Sequence, residues 1–280
     1  MVLSFGGSPP IQWGLSGQRH GMPAENSNND NLVEVEGLCK SYGSLRAVDG
    51  VSFTVQHREV FGILGPNGAG KTTTVEILEG MRLPDSGVAR INGIDIRKDP
   101  RAVKALIGIQ LQSSSFFEKL SLAELLGVFG SLYRRRVDAK ALLREVELED
   151  KAKSEFKALS GGQKQRFSIA TTLVNDPLLM FLDEPTTGLD PQARRHLWEL
   201  VERFKTEGRT VLMTTHYMEE AEELCDRVAI MDQGRIVEMA PPDRLIDKLL
   251  AKGFQKERVE KQANLEDVFL DLTGRALRDE

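Results

Sequence analysis

Eight residues constrain this chain more than any other feature: Gly65-Pro66-Asn67-Gly68-Ala69-Gly70-Lys71-Thr72 fits G-x-x-x-x-G-K-[ST], with Thr73 following. Glycines let the backbone wrap closely round phosphates, so that successive N–H groups face an anion. A helix expected over Lys71–Met81 turns its positive dipole end to the same place. Lys71 supplies a mobile charge for the β- and γ-phosphates of a nucleotide, and the Thr72 hydroxyl is a hard oxygen ligand for Mg²⁺. The β-type run Glu59–Gly65 stands directly before the loop, which completes the strand–loop–helix context that the motif requires.

The rest of the pattern is α/β. Leu32–Glu36, Val51–Val55, Gly87–Asn92 and Ala105–Gln112 are expected as strands. Leu178–Asp183 and Thr210–Thr215 are expected as buried parallel strands, separated by a helix at Pro191–Lys205 with Leu197, Leu200, Val201 and Phe204 on one face. Leu122, Leu125, Leu126 and Phe129 recur at helical spacing, so a helical lobe is inserted between Gln112 and Ser160. A second helical stripe, Leu265, Val268, Phe269 and Leu272, lies near the C-terminus. Residues Met1–Asn31, rich in Gly, Ser, Pro and Asn, are too poor in apolar surface to offset their ordering entropy and are expected to be a disordered extension.

Two further motifs fit the phosphate loop. The apolar run Leu178–Leu182 ends in Asp183-Glu184. Ligands of open parallel sheets sit at the carboxyl ends of strands, so Asp183 is placed to hold Mg²⁺ through water and Glu184 to orient or deprotonate an attacking water. Leu159-Ser160-Gly161-Gly162-Gln163 opens another helix and makes a second anion-binding end. One nucleotide per chain does not need two such ends, which suggests that this end binds a nucleotide held by another copy.

Composition excludes several classes. With 280 residues, 40% of them hydrophobic and 28% charged, the chain has ample material for a core. A net charge of −5 leaves no basic footprint for nucleic acid. No apolar run approaches the ~20 residues that span a bilayer. Cys39 and Cys225 lack metal or redox spacing and are expected to be reduced, buried thiols.

In this order the motifs resemble the nucleotide-binding subunit of ATP-binding-cassette transporters, and LSGGQ at Leu159–Gln163 is similar to the signature of that superfamily. The resemblance runs from about Leu32 to the C-terminus. It implies a P-loop NTPase core of the ABC ATPase type, with an N-terminal antiparallel β region and an inserted helical lobe at about residues 113–160. The cassette is then residues 32–240, followed by a helical tail over 241–280. By resemblance, Tyr42 stacks on adenine, and Gln112 senses Mg²⁺ and the γ-phosphate. Asp190 of Gly188-Leu189-Asp190 lies in the loop running between two subunits, and His216 is the switch histidine that contacts the γ-phosphate. The same resemblance implies ATP and Mg²⁺ as cofactors and a homodimer or heterodimer with another ATPase subunit. It further implies polytopic membrane permease subunits on other chains, and hence a cytoplasmic protein held at the inner face of the membrane.

The segment Leu265–Gly274 is similar to tails of the bacterial drug- and polysaccharide-export group, which points to export. The alternative is a soluble single-cassette ATPase serving cofactor assembly. One departure from the family pattern is Ala170-Thr171-Thr172 after the signature, where Ala-Arg-Ala is common.

Overall fold

A computed structural model describes residues 30–110 and 116–254. The chain opens with an antiparallel hairpin, β1 (Asn31–Tyr42) and β2 (Leu45–Gln56), in which Val35 faces Phe53. There follow β3 (Val60–Leu64), α1 (Lys71–Leu78), β4 (Ser86–Ile91), β5 (Ile94–Asp95), α2 (Pro100–Leu106) and β6 (Ile107–Gln110). The helical section holds α3 (Leu122–Leu132), α4 (Ala139–Glu145) and α5 (Gly161–Thr172). The chain then alternates through β7 (Leu179–Asp183), α6 (Pro191–Thr206), β8 (Thr210–Thr215) and α7 (Met218–Leu224). The hairpin β9 (Arg227–Asp232) and β10 (Arg235–Ala240) precedes α8 (Pro242–Ala251).

Two sheets result. One is antiparallel in the order β2-β1-β4-β5; the other runs β10-β9-β3-β8-β7-β6 and is parallel except for its β9–β10 edge. Strands β3, β7 and β8 are buried at every residue, as expected of parallel strands covered on both faces. Because side chains alternate, neighbouring residues of one strand enter different cores. Val60, Met180, Leu182, Val211 and Met213 join α3, α5 and α6 in one cluster. Phe61, Ile63, Leu179, Phe181 and Leu212 join α1 and the antiparallel sheet in the other. Phe53 and Phe61 stack at 5.2 Å, linking the two sheets.

The structure corrects several expectations. Ala105 and Leu106 finish α2, and the strand expected over Ala105–Gln112 begins at Ile107. That helix is set by its ends, with Asp99 capping Ala102 N–H and Pro100 at the first position; with only Val103 buried it carries no periodic stripe. Helix α1 stops at Leu78 rather than Met81, because Gly80 turns left-handed at φ 68. Asn31, expected in the extension, pairs with Gln56. Cys225 is buried, but Cys39 is only partly so; its sulfur accepts the Gly50 N–H. Gln112, residues 1–29 of the N-terminal extension and the stripe at Leu265–Leu272 lie outside the described residues. Among the described residues no helix is long and apolar enough to cross a membrane.

Candidate functional site

The site forms where β3, β7 and β8 end side by side. Beyond β3, the Gly65–Gly70 loop keeps Pro66, Asn67 and Gly68 exposed while Ala69 is buried beneath them. Glycine is required at both ends of this turn. A Cβ at Gly65 would sit 2.2 Å from the Met231 carbonyl oxygen; at Gly70, with φ 102, it would meet Ala47 O at 2.2 Å. The Lys71 side chain, 4% exposed, folds back across the loop and donates to Gly65 O at 2.7 Å and Pro66 O at 3.1 Å. Burial pulls its pKa down, and the carboxylates of Glu184 and Asp183 pull it back up. Thr72 is exposed at the helix start, Thr73 is partly exposed, and Thr74 turns inward to bond Gly70 O.

At the end of β7, Asp183 is 8% exposed and accepts a hydrogen bond from Thr214 Oγ1 of the adjacent β8. Burial raises its pKa, the Thr214 hydroxyl opposes that rise, and neighbouring Glu184 adds to it. Glu184 has φ 45, unusual for a residue with a side chain. Its N–H donates to the carbonyl and hydroxyl oxygens of Thr214, both at 3.1 Å, and its Oε2 accepts from Thr187 Oγ1 at 3.2 Å. Glu184 Oε1 lies 3.9 Å from Lys71 Nζ and 3.3 Å from Nδ1 of His216, the residue after β8. That last approach is a close contact without hydrogen-bond alignment.

Lys71, Asp183, Glu184 and His216 thus lie together beside the ends of β3, β7 and β8. Tyr42, at the end of β1, is 40% exposed; the Arg82 guanidinium lies 5.5 Å from its ring centroid and is itself paired with Glu76 of α1. At α5, Ser160 and Gln163 form a reciprocal capping box, with the Ser160 hydroxyl accepting the Gln163 N–H and the Gln163 side chain accepting the Ser160 N–H. Exposed Gly161 and partly exposed Gly162 complete this end. A Cβ at Gly162 would lie 2.8 Å from that of Ala193 on α6, so the glycine permits close packing there. Exposed Asp190 caps α6 through Ala193 N–H. Among the described residues no hydrogen bond joins Ser160–Gln163 to the Gly65–Thr73 loop.

Sequence reasoning missed the residues that support these groups. Thr214 binds both Asp183 and Glu184. Glu79, 2% exposed at the end of α1, carries a carboxyl that burial, Asp183 and Glu76 push up to about 8. Its signal in the sequence is only an acid inside an apolar helix stripe.

A glycine-rich loop between a parallel strand and a helix, faced by an Asp-Glu pair from the next-but-one strand, defines a P-loop nucleotide hydrolase. The family profile described as "ABC transporter" matches residues 48–187. The chain belongs to this family and is an ATP-binding, ATP-hydrolysing transporter subunit. The "Nod factor export ATP-binding protein I" of Ralstonia nicotianae is 35% identical, over 92% of this chain and 98% of that protein. Its namesake in Rhizobium meliloti is 36% identical, over 88% of this chain and 89% of that one. Among solved structures, cbiO1 from Clostridium perfringens, part of the ABC transporter complex cbiONQ, is 28% identical. It superposes with a TM-score of 0.72 over 80% of this chain and 94% of its own. A dimeric cassette in a post-hydrolysis state, bound to ADP and Pi, is 25% identical with a TM-score of 0.68, covering 75% of this chain and 98% of that one.

Proposed function

We propose that this chain is the ATPase subunit of an exporter and drives separate polytopic membrane subunits by ATP-dependent pairing of two cassettes. The observation that carries the catalytic part is the placement of Glu184 Oε1 between Lys71 Nζ and His216 Nδ1, at 3.9 Å and 3.3 Å. In this reading the Gly65–Thr73 backbone and Lys71 bind the phosphates, Tyr42 carries adenine, Glu184 takes a proton from the attacking water, and His216 holds the γ-phosphate. Ser160–Gln163 and Asp190 complete the site of the other cassette, a homodimer partner or a related subunit. Gln112 follows β6 and senses the bound nucleotide.

The donor set fits Mg²⁺. Thr72 offers a hydroxyl and Asp183 one carboxylate, while among the described residues no group of three His, Cys, Asp or Glu can cage a metal. Mg²⁺ suits such a site, being held by few protein oxygens together with water and nucleotide phosphates. When bound, it neutralises charge on the phosphate oxygens.

Residues 32–240 form the cassette, about 113–160 its helical lobe, and 241–280 a tail whose first part is α8. Export is supported by the relatives, which are Nod factor export ATP-binding proteins, and attachment to permease subunits would place the protein at the cytoplasmic face of the membrane. No observation favours the soluble cofactor-assembly reading. Glu184→Gln tests the catalytic assignment: hydrolysis falls by roughly 10²–10⁴ while ATP still binds. Near-normal turnover would overturn it.

A further inference from the structure

The phosphate loop and the Tyr42 ring stand on different parts of the chain, and one short segment joins them. That segment, residues 79–85, runs from α1 to β4 and belongs to none of the sequence motifs. Gly80, at φ 68, folds the chain back over the end of α1, so the Met81 and Arg82 N–H groups both donate to Glu76 O, at 2.9 Å and 3.1 Å. The Arg82 guanidinium then closes on the Glu76 carboxylate. It lies 5.5 Å from the Tyr42 ring centroid, within cation–π range.

Asp85, three residues on, holds the chain directly before that ring. Its N–H donates to Cys39 O at 2.9 Å, its Oδ1 accepts from Lys40 Nζ at 2.9 Å, and its Oδ2 accepts the Ser41 N–H at 2.7 Å. Lys40 Nζ is in turn 5.8 Å from the Tyr42 centroid. One aspartate therefore binds three consecutive residues of β1.

The sheet alone fixes this end of β1 poorly. Pairing with β2 shifts register on both sides of Lys40, and pairing with β4 shifts between Glu36 and Cys39. Such irregularities interrupt the ladder and bend the strand. Tyr42 and Leu45 face each other at the hairpin tip and are 40% and 65% exposed, so core packing does not orient the ring. Arg82 and Asp85 supply the constraint that the ladder lacks. Both are carried by α1, which presents Lys71 and Thr72 at its start and leads through Glu76 and Gly80 to Arg82 and Asp85 at its end. One helix thus sets the position of the phosphates and of the ring. A ligand held at both ends binds more tightly when their separation is preset.

We propose that Arg82 and Asp85 are positioning residues for ATP binding: they hold the Tyr42 ring at a fixed distance from the phosphate loop, so that base and phosphates engage together. This rests on the reading of Tyr42 as the adenine platform. The full chain is compared with Arg82→Ala, Asp85→Ala, Tyr42→Ala and the double variants Tyr42→Ala/Arg82→Ala and Tyr42→Ala/Asp85→Ala. Dissociation constants are measured for Mg·ATP and for Mg·tripolyphosphate, which has the phosphates but no base, together with kcat and melting temperature. The Arg82 and Asp85 side chains are 44% and 47% exposed, so both variants should fold with melting temperatures near that of the parent. Each should weaken ATP binding about three- to fivefold, the scale of an exposed charged contact. Tripolyphosphate binding and kcat at saturating ATP should stay within about 1.5-fold, a loss confined to binding of the base. On the Tyr42→Ala background neither substitution should weaken ATP further by more than about 1.5-fold, because each acts only through the ring. Unchanged ATP affinity in both single variants, equal losses for ATP and tripolyphosphate, or losses that persist without the Tyr42 ring overturn the proposal. Parent-like ATP affinity in Tyr42→Ala overturns it at its root, by removing the adenine platform itself.

Discussion

Glu79 makes the stability of this protein depend on pH in a direction opposite to that of most carboxylates. Its side chain is 2% exposed, Oε1 has no hydrogen-bond partner, and Asp183 and Glu76 add negative potential to the cost of burial. The carboxyl therefore titrates at about 8 in the folded chain against 4.5 when unfolded. A raised carboxyl pKa means that the folded state holds the proton more tightly. Its contribution is fully present below pH 4.5 and is lost as pH rises through about 8. At about 1.4 kcal/mol per pH unit, the gap bounds the loss at about 5 kcal/mol. Relaxation and water entry at the helix end reduce this, and about 2–3 kcal/mol is the expected effect. Glu79→Gln keeps the shape and removes the charge. Urea unfolding without nucleotide and with EDTA, at pH 5, 6.5, 8 and 9, measures the difference. The variant should match the parent within about 1 kcal/mol at pH 5 and exceed it by about 2 kcal/mol or more at pH 9. Parallel pH curves for the two proteins, or a less stable variant at pH 9, would refute this account of Glu79.

The aromatic pair after β6 is divided between core and surface. Phe116 packs on Phe129, Phe156 and Phe167, with centroids 4.4–6.0 Å away, whereas Phe117 is 67% exposed. Thermal melts should show Phe116→Ser destabilised by roughly 3–5 kcal/mol and Phe117→Ser by less than about 0.5 kcal/mol. If Phe117 meets the membrane partner, Phe117→Ser keeps basal ATPase but loses transport in membranes; full transport in that variant removes the contact. Tyr42→Ala should raise KM for ATP about tenfold, the order of a base–aromatic stack, with kcat within about twofold. An unchanged KM would mean that adenine is held elsewhere.

What the sequence discloses depends on how local the physics is. The loop at Gly65–Thr73 and the run ending in Asp183-Glu184 are legible because each needs particular residue types at fixed spacing. Helices α3 and α6 are legible from their apolar stripes. Helix α2 is not, since seven residues with one buried side chain carry no period. The β9–β10 hairpin was hidden in Gln233-Gly234, an atypical turn pair, and in a β10 strand without a fully buried residue. The residues that hold the site together were the least visible. Thr214 acts only because β8 lies beside β7, a long-range arrangement that no local pattern encodes. Phe116 and Phe117 mark a third limit: neighbouring side chains of an extended segment point to opposite sides, but only tertiary packing decides which ring turns inward.

In the proposed mechanism each ATP is cleaved between two chains, by the Lys71–Glu184 side of one and the Ser160–Gln163 end of another. Ser160→Arg blocks the second anion end without touching the first, and Lys71→Ala disables the first without touching the second. Each protein alone should have little activity. Mixed in equal amounts, they form hybrids with one intact composite site and one doubly damaged site. With random pairing half the dimers are hybrids, each with one of two sites intact, so about a quarter of parent turnover should return. Recovery of that order, rising with protein concentration, supports the two-chain site. No recovery on mixing, together with parent turnover independent of concentration, would contradict it.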